Sequence, residues 1–190
     1  YLSSHLPSNM EYVRCYFVLN DNSYLVFEDI RKFGGFYIFK EINQLNNKIG
    51  IDPFEKNFTI KWMQKNISNR NRQIKGLLLD QTFVCGLGNI YIDEILWASK
   101  INPLSISSKL NKKQINLLFS NILSILKKSI KFHGTTIMNF KFDNMKTGNY
   151  KKELKVYGRN GEECFKCCNE VRKIKVAGRG TYLCQVCQNI

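Results

Sequence analysis

The 190-residue sequence predicts an α+β protein, because three stretches of it differ in character. Residues 1–40 hold short aromatic and β-branched runs broken by turn formers, the pattern of strands. Residues 111–132 repeat apolar side chains at three- and four-residue spacing, the pattern of a long helix. Residues 151–190 carry paired Cys-x-x-Cys steps among glycines and alternating basic and apolar residues, the pattern of a small cysteine-stapled β module.

Taken in order, Tyr12–Leu19 and Tyr24–Glu28 read as strands flanking Asn20-Asp21-Asn22-Ser23, a cluster that favours turns. Phe36–Phe39 reads as a third short strand, entered through Gly34-Gly35. Three strands with such apolar faces need further strands to cover them. Residues 41–58, Asn-rich with Pro53, read as a connector. Helices are expected over Phe58–Lys65, Gln73–Leu79 and Asn89–Lys100, the last stopped by Pro103. In the long helix, Asn111–Phe132, the residues Ile115, Leu118, Ile122, Leu126 and Ile130 face a core. Its lysines (Lys112, Lys113, Lys127, Lys128, Lys131) belong to the solvated face. Gly134–Tyr150 is polar and long enough to be a functional loop.

The charge is lopsided: 29 Lys+Arg against 15 Asp+Glu gives +14. Residues 1–150 hold 20 basic and 11 acidic residues, and residues 151–190 hold 9 and 4, so the excess is spread along the chain. A field of that kind draws polyanions, nucleic acid first and anionic membrane second. Lys makes up 22 of the 29, and Asn, Ile, Phe and Tyr are also abundant, so A/T-rich codon usage is a competing source of part of the charge. With 44% apolar and 23% charged residues, wholesale disorder is excluded. No apolar run approaches the roughly 20 residues of a membrane span. A soluble, cytoplasmic protein with no membrane partner is expected. The first residue is Tyr, and Tyr1–Ser8 has no signal-peptide character, so a segment upstream is expected to be missing or removed.

Of seven cysteines, Cys15 and Cys85 stand alone as expected core fillers. Cys164-x2-Cys167 and Cys184-x2-Cys187 fit the four-cysteine zinc pattern. Each turn points two sulfurs at one centre, and two turns close a tetrahedron around one structural Zn²⁺. The odd total, the lack of a secretory signal and the lack of a βαβ context argue against disulfides or a redox dithiol. Cys168 offers a Cys-x-x-x-Cys alternative and is expected to be a bystander. Val171–Val176 can pair with Thr181–Cys184 across Ala177-Gly178-Arg179-Gly180. That places Arg179 at a glycine-flanked tip suited to a phosphate or a minor groove, an idle turn arginine being the alternative. Residues 77–89 end on Gly86-Leu87-Gly88-Asn89 opening a helix, which aims free N–H groups and an amide at an anion.

Residues 77–104, VYGRNGEEC at 156–164 and GRGTYLCQVCQ at 178–188 together resemble the formamidopyrimidine-DNA glycosylase family. EDIRKFGGF at 28–36 and Gly134-Thr135-Thr136 resemble that family's wedge segment and the start of its base-capping loop. The sister endonuclease VIII family shares the architecture, but GNIY and VYGR favour the formamidopyrimidine branch. The resemblance implies three parts: the C-terminal part of a catalytic β-sandwich over 1–45, a helix–two-turn–helix domain over 54–150 and a β-hairpin zinc finger over 151–190. It implies a partner, double-stranded DNA with a damaged base or abasic site, and an activity, excision of oxidised purines such as 8-oxoguanine followed by strand cleavage. It also implies roles. Asn89 and Arg179 clamp phosphates around the lesion, with Lys75 near the damaged site. Arg31 and Phe33 fill the hole left by the flipped nucleotide. Thr135, Thr136 and the loop to Tyr150 close over the extruded base.

Departures from the family pattern set further expectations. The family nucleophile is an N-terminal proline whose secondary amine forms a Schiff base, assisted by an adjacent Glu and a strand Lys. Position 1 here is Tyr, Pro7 has an amide nitrogen, and no residue matches that Lys, so no catalytic residue is expected among these 190. Met10-Glu11-Tyr12 replaces a His-Asp-His, Lys32 a second Arg, and Cys168 a Gly. The chain is expected to be an enzyme by family but inactive alone, a non-catalytic binder of damaged or abasic DNA being the alternative, with exposed apolar sheet faces that associate. A full-length protein would be a monomer.

Overall fold

The computed structural model describes residues 1–41, 49–135 and 148–189, and divides into two compact units, Tyr1–Ile42 and Asn43–Ile190. The first unit is a three-stranded antiparallel sheet of β1 (Leu2–Ser3), β2 (Val13–Val18) and β3 (Tyr24–Glu28), in the order β1-β3-β2. The β2–β3 turn closes as its Asn/Asp composition dictates. Asn22 takes a left-handed φ of 60°, and the Asp21 carboxylate accepts the Ser23 amide and hydroxyl. Phe36–Phe39 is not a strand. Its first ring instead packs edge-on against Phe17 (4.9 Å) and Phe27 (5.1 Å), so the segment serves the sheet through a side chain rather than a ladder. Among residues 1–41 only Val26 is buried, and Leu2, Phe17, Val18, Tyr37 and Ile38 stand exposed.

The second unit holds the main core. α1 (Ile60–Ser68) starts at Thr59, whose hydroxyl accepts the Trp62 amide, and buries Met63 and Ile67. α2 (Ile74–Leu79) and α3 (Asn89–Ala98) follow, and α3 is buried from Ile92 through Trp97. α4 (Lys112–Lys131) opens on a capping box between Asn111 and Gln114. It buries Ile115, Leu118, Ile122 and Leu126 as its periodicity predicts, with the five lysines exposed. Ile130 departs from the expected stripe. It lies in the last turn and is exposed, while Ser129 takes the buried position with its hydroxyl on the Leu126 carbonyl.

The C-terminal hairpin pairs β4 (Arg172–Val176) with β5 (Arg179–Leu183), Val176 opposite Arg179. The connection is therefore a two-residue turn, Ala177-Gly178, with both φ positive (48° and 74°). This is two residues shorter than the four-residue turn expected from sequence, and Arg179 is the first residue of β5 rather than the tip. No helix among the described residues is long and apolar enough to cross a membrane.

Candidate nucleic-acid interface

The loop from Asp80 to Gly88 is held by its own side chains. Asp80 accepts the Thr82 hydroxyl and amide (2.6 and 3.0 Å) and pairs with Arg72 (2.7 Å). These contacts, the Thr82 hydroxyl foremost, hold its carboxyl at about 2. Gln81 spans the loop, accepting the Gly86 amide and donating to the Leu87 carbonyl, both at 2.9 Å. Gly86 takes the left-handed φ of 78° that this turn requires. Gly88 then caps α3 without a side-chain hydrogen bond, leaving the first-turn amides aimed outward. The Asn89 amide nitrogen donates to the Gly180 carbonyl (3.0 Å), while its Oδ1 is buried without a partner among the described residues. Gln81, Gly86, Gly88, Asn89 and Arg179 line one cavity of about 460 Å³. An exposed guanidinium, the open N-terminus of α3 and the Asn89 side chain thus border one hollow.

Lys75, expected near the damaged site, is fully buried. Its ammonium sits 2.5 Å from Asp93 Oδ1 and 3.4 Å from the Gly180 carbonyl. Asp93 Oδ2 accepts the Tyr182 amide at 2.9 Å, so the pair ties α2 and α3 to β5. Burial pushes both groups towards neutrality, Lys75 down and Asp93 up to about 6. Next to it, buried Glu94 accepts the amides of Lys155, Val156 and Tyr157 at 2.8–2.9 Å. Burial raises its carboxyl and the three amides oppose the shift. Neither acid stands out in the sequence as a site residue. The available signal was two adjacent carboxylates inside an otherwise apolar helix, a placement that demands partners.

The four sulfurs of Cys164, Cys167, Cys184 and Cys187 lie within 4.8 Å of one another. Cys164–Cys187 and Cys167–Cys184 are 3.9 and 3.4 Å apart, bracketing the roughly 3.8 Å edge of a tetrahedron with 2.3 Å metal–sulfur bonds. The donor set fits a closed zinc site. Cys168 lies outside it, exposed, with a left-handed φ of 58° at a turn that favours glycine. Trp97, Val156 and Val171 pack around Cys164 and Cys184. Buried Gln188 fastens the second Cys-x-x-Cys turn, accepting the Cys184 amide (3.0 Å) and donating to the Ile101 carbonyl (2.9 Å).

The Thr135 hydroxyl donates to the Tyr91 hydroxyl (3.3 Å), and Thr135 bridges to Asn149. Tyr150 is buried edge-on to Tyr91 at 5.7 Å, and burial pushes its phenol to about 12. Tyr91, Cys85, Pro53 and Ile130 line a second, mostly apolar cavity of about 600 Å³ beside this stem. Thr136 lies outside the described residues. In the first unit, Asp29 accepts the amides of Arg31, Lys32 and Gly34 (2.6–3.0 Å), and the Gly34 amide above all lowers its carboxyl. That tight loop presents Phe33, 79% exposed, with the Arg31 guanidinium 4.9 Å from its ring centre.

The family description "Formamidopyrimidine-DNA glycosylase H2TH domain" matches residues 49–141. The formamidopyrimidine-DNA glycosylase of Streptococcus mutans is 38% identical over 187 residues, covering 96% of this chain and 68% of its own length. The chain belongs to the formamidopyrimidine-DNA glycosylase family. The Mycoplasma pneumoniae glycosylase is 38% identical over 184 residues, 95% of this chain and 66% of the relative. The chain thus spans about two-thirds of the length of the curated relatives it matches. Among solved structures, Lactococcus lactis formamidopyrimidine-DNA glycosylase non-covalently bound to abasic-site DNA superposes with a TM-score of 0.87 at 36% identity, over 100% of this chain and 70% of that one. The same protein with Fapy-dG DNA gives 0.87 at 36%, over 100% and 71%.

Proposed function

We propose that this chain supplies the DNA grip of a base-excision glycosylase for oxidised purines, holding duplex DNA at a damaged base or abasic site. The observation that carries the reading is the convergence of Asn89, Arg179 and the α3 N-terminus on one cavity. A phosphate placed there meets a cation, oriented amides and the positive end of a helix dipole. The +14 charge supplies long-range attraction, and the exposed Phe33 beside Arg31 suits stacking in a gap left by a flipped nucleotide. Thr135 and Tyr150 anchor the stem of the segment that would meet the extruded base. The cysteine cluster would hold one structural Zn²⁺, which fixes the hairpin carrying Arg179. Lys75 acts from beneath, through the Gly180 carbonyl, rather than as an open cation. The place of action is chromosomal DNA in the cytoplasm.

The reading covers binding and orientation of DNA; excision and strand cleavage in the family use a proline amine with Glu and Lys beside it, and no candidate for these is proposed among the residues described above. The test is titration of the zinc-loaded chain with a duplex carrying an abasic analogue and with its undamaged counterpart. Preference for the damaged duplex is expected, with loss of about 10- to 100-fold in Asn89→Ala and Arg179→Ala. Equal binding of both duplexes by all three proteins would refute the reading. Borohydride trapping on an 8-oxoguanine duplex should yield no covalent adduct, and an adduct would place a nucleophile within these residues.

A further inference from the structure

The phosphate-facing cavity and the cysteine cluster are joined by two struts rather than one. The first is α3, about 12 Å from Asn89 to Trp97 at 1.5 Å per residue. Asn89 stands at its open N-terminus. At the other end the Trp97 indole N–H donates to Cys164 Sγ at 3.4 Å. The Lys166 ammonium, from inside the first Cys-x-x-Cys turn, donates to the Trp97 and Ala98 carbonyls (3.3 and 3.5 Å) and lies 3.9 Å from the Trp97 ring centre. The second strut is β5, which begins at Arg179 and runs directly into Cys184. The struts are cross-braced by Asn89 to Gly180 and by Asp93 to Tyr182. The result is a closed frame with the metal site at one end and the anion site at the other.

We infer that Trp97 and Lys166 are positioning residues that couple the two sites, so that DNA bound at Asn89 and Arg179 slows loss of the metal. By linkage, metal in the cluster strengthens the grip on phosphate by the factor by which bound DNA raises the equilibrium affinity for the metal. The inference rests on the zinc and phosphate readings above. Without the Trp97 and Lys166 contacts the finger would keep its ties from Gln188 to Ile101 and from residues 155–157 to Glu94, but the first Cys-x-x-Cys turn would lose its own hydrogen bonds to the C-terminal end of α3. Both residues stand outside the four ligands, so they can be altered with the donor set intact.

The measurement is release of zinc from the loaded chain into excess chromogenic chelator, with and without a saturating abasic-analogue duplex, alongside metal content and DNA affinity. Release is expected to be about tenfold slower with the duplex. Trp97→Phe and Lys166→Met, purified with one equivalent of zinc, should lose most of that protection and bind DNA more weakly. Simple occlusion of the cluster by DNA predicts the same protection in the variants as in the wild type, and that result would overturn the coupling. So would a wild-type rate that the duplex does not change, whatever the variants do. Less than one equivalent of zinc, or no binding of the abasic duplex, overturns the underlying reading and the inference with it.

Discussion

Replacing Lys75 by Met should be far more damaging than the loss of one ion pair on a surface. Both partners have fully buried side chains, so the pair has already given up its hydration. Burial raises the Asp93 carboxyl from 3.8 to about 6 even with Lys75 beside it. At about 1.36 kcal/mol per unit, an ionised Asp93 costs the native state roughly 3 kcal/mol at neutral pH. Lys75→Met removes the group that offsets this cost and leaves the carboxylate with the Tyr182 amide. An expected loss of about 3–5 kcal/mol follows. The sign of the pH dependence is fixed by the same shift. A raised carboxyl pKa means that the native state binds the proton more tightly than the unfolded chain, so its penalty shrinks as pH falls through the native value. In Lys75→Met that value rises further, and acidification from pH 8 to 6 should recover more stability in the variant than in the wild type. The double variant Lys75→Met/Asp93→Asn, which buries no charge and keeps an acceptor for Tyr182, should regain at least half of the loss. Urea unfolding of zinc-saturated protein, followed by circular dichroism at both pH values, measures all of this. A cost below about 1 kcal/mol for Lys75→Met, or a double variant no better than the single, would refute the argument.

Other outcomes follow from neighbouring contacts. Glu94→Gln puts an NH₂ where a carboxylate oxygen accepts a backbone amide, so about 1–3 kcal/mol of stability should be lost in the same unfolding assay. Arg179→Ala should lower the slope of log affinity against log salt by about 0.9, read from binding isotherms between low and physiological salt. Chelation of zinc should unfold the region 155–189, seen as rapid amide exchange there, while α1 to α4 keep their protection, because four clustered thiols without a metal have nothing to hold them together. The 190-residue chain should associate through the exposed apolar residues of its first unit, giving concentration-dependent sedimentation.

What could be read from the sequence was what is encoded locally. The two Cys-x-x-Cys turns, the α4 stripe and Gly86–Asn89 each state their structure within a few residues, and the structure places them accordingly. What escaped depends on partners far along the chain. Asp93 meets Tyr182 and Glu94 meets residues 155–157, and no window of sequence contains either pair. Lys75 carries the signature of a surface cation, and only the tertiary burial of α2 turns it into a strut. β1 exists because Leu2 and Ser3 lie against Leu25 and Tyr24, not because two residues have any preference of their own. The position of Arg179 escapes for a different reason. Ala177 adopts a left-handed conformation that propensity assigns to glycine or asparagine, so the turn closes two residues earlier than composition suggests.

Glu94 has one more consequence, for modularity. Most small zinc-stapled hairpins are beads that can be cut out and strung elsewhere. This one enters through three amides that end on a carboxylate of α3, and it leaves through Gln188, whose side chain ends on the Ile101 carbonyl. A graft of 151–189 onto another scaffold would arrive with those hydrogen bonds open. The helical part without it would expose Asp93, Glu94 and Trp97 together. The finger and the helices are therefore one inheritable piece, and recombination between relatives should exchange them jointly or not at all.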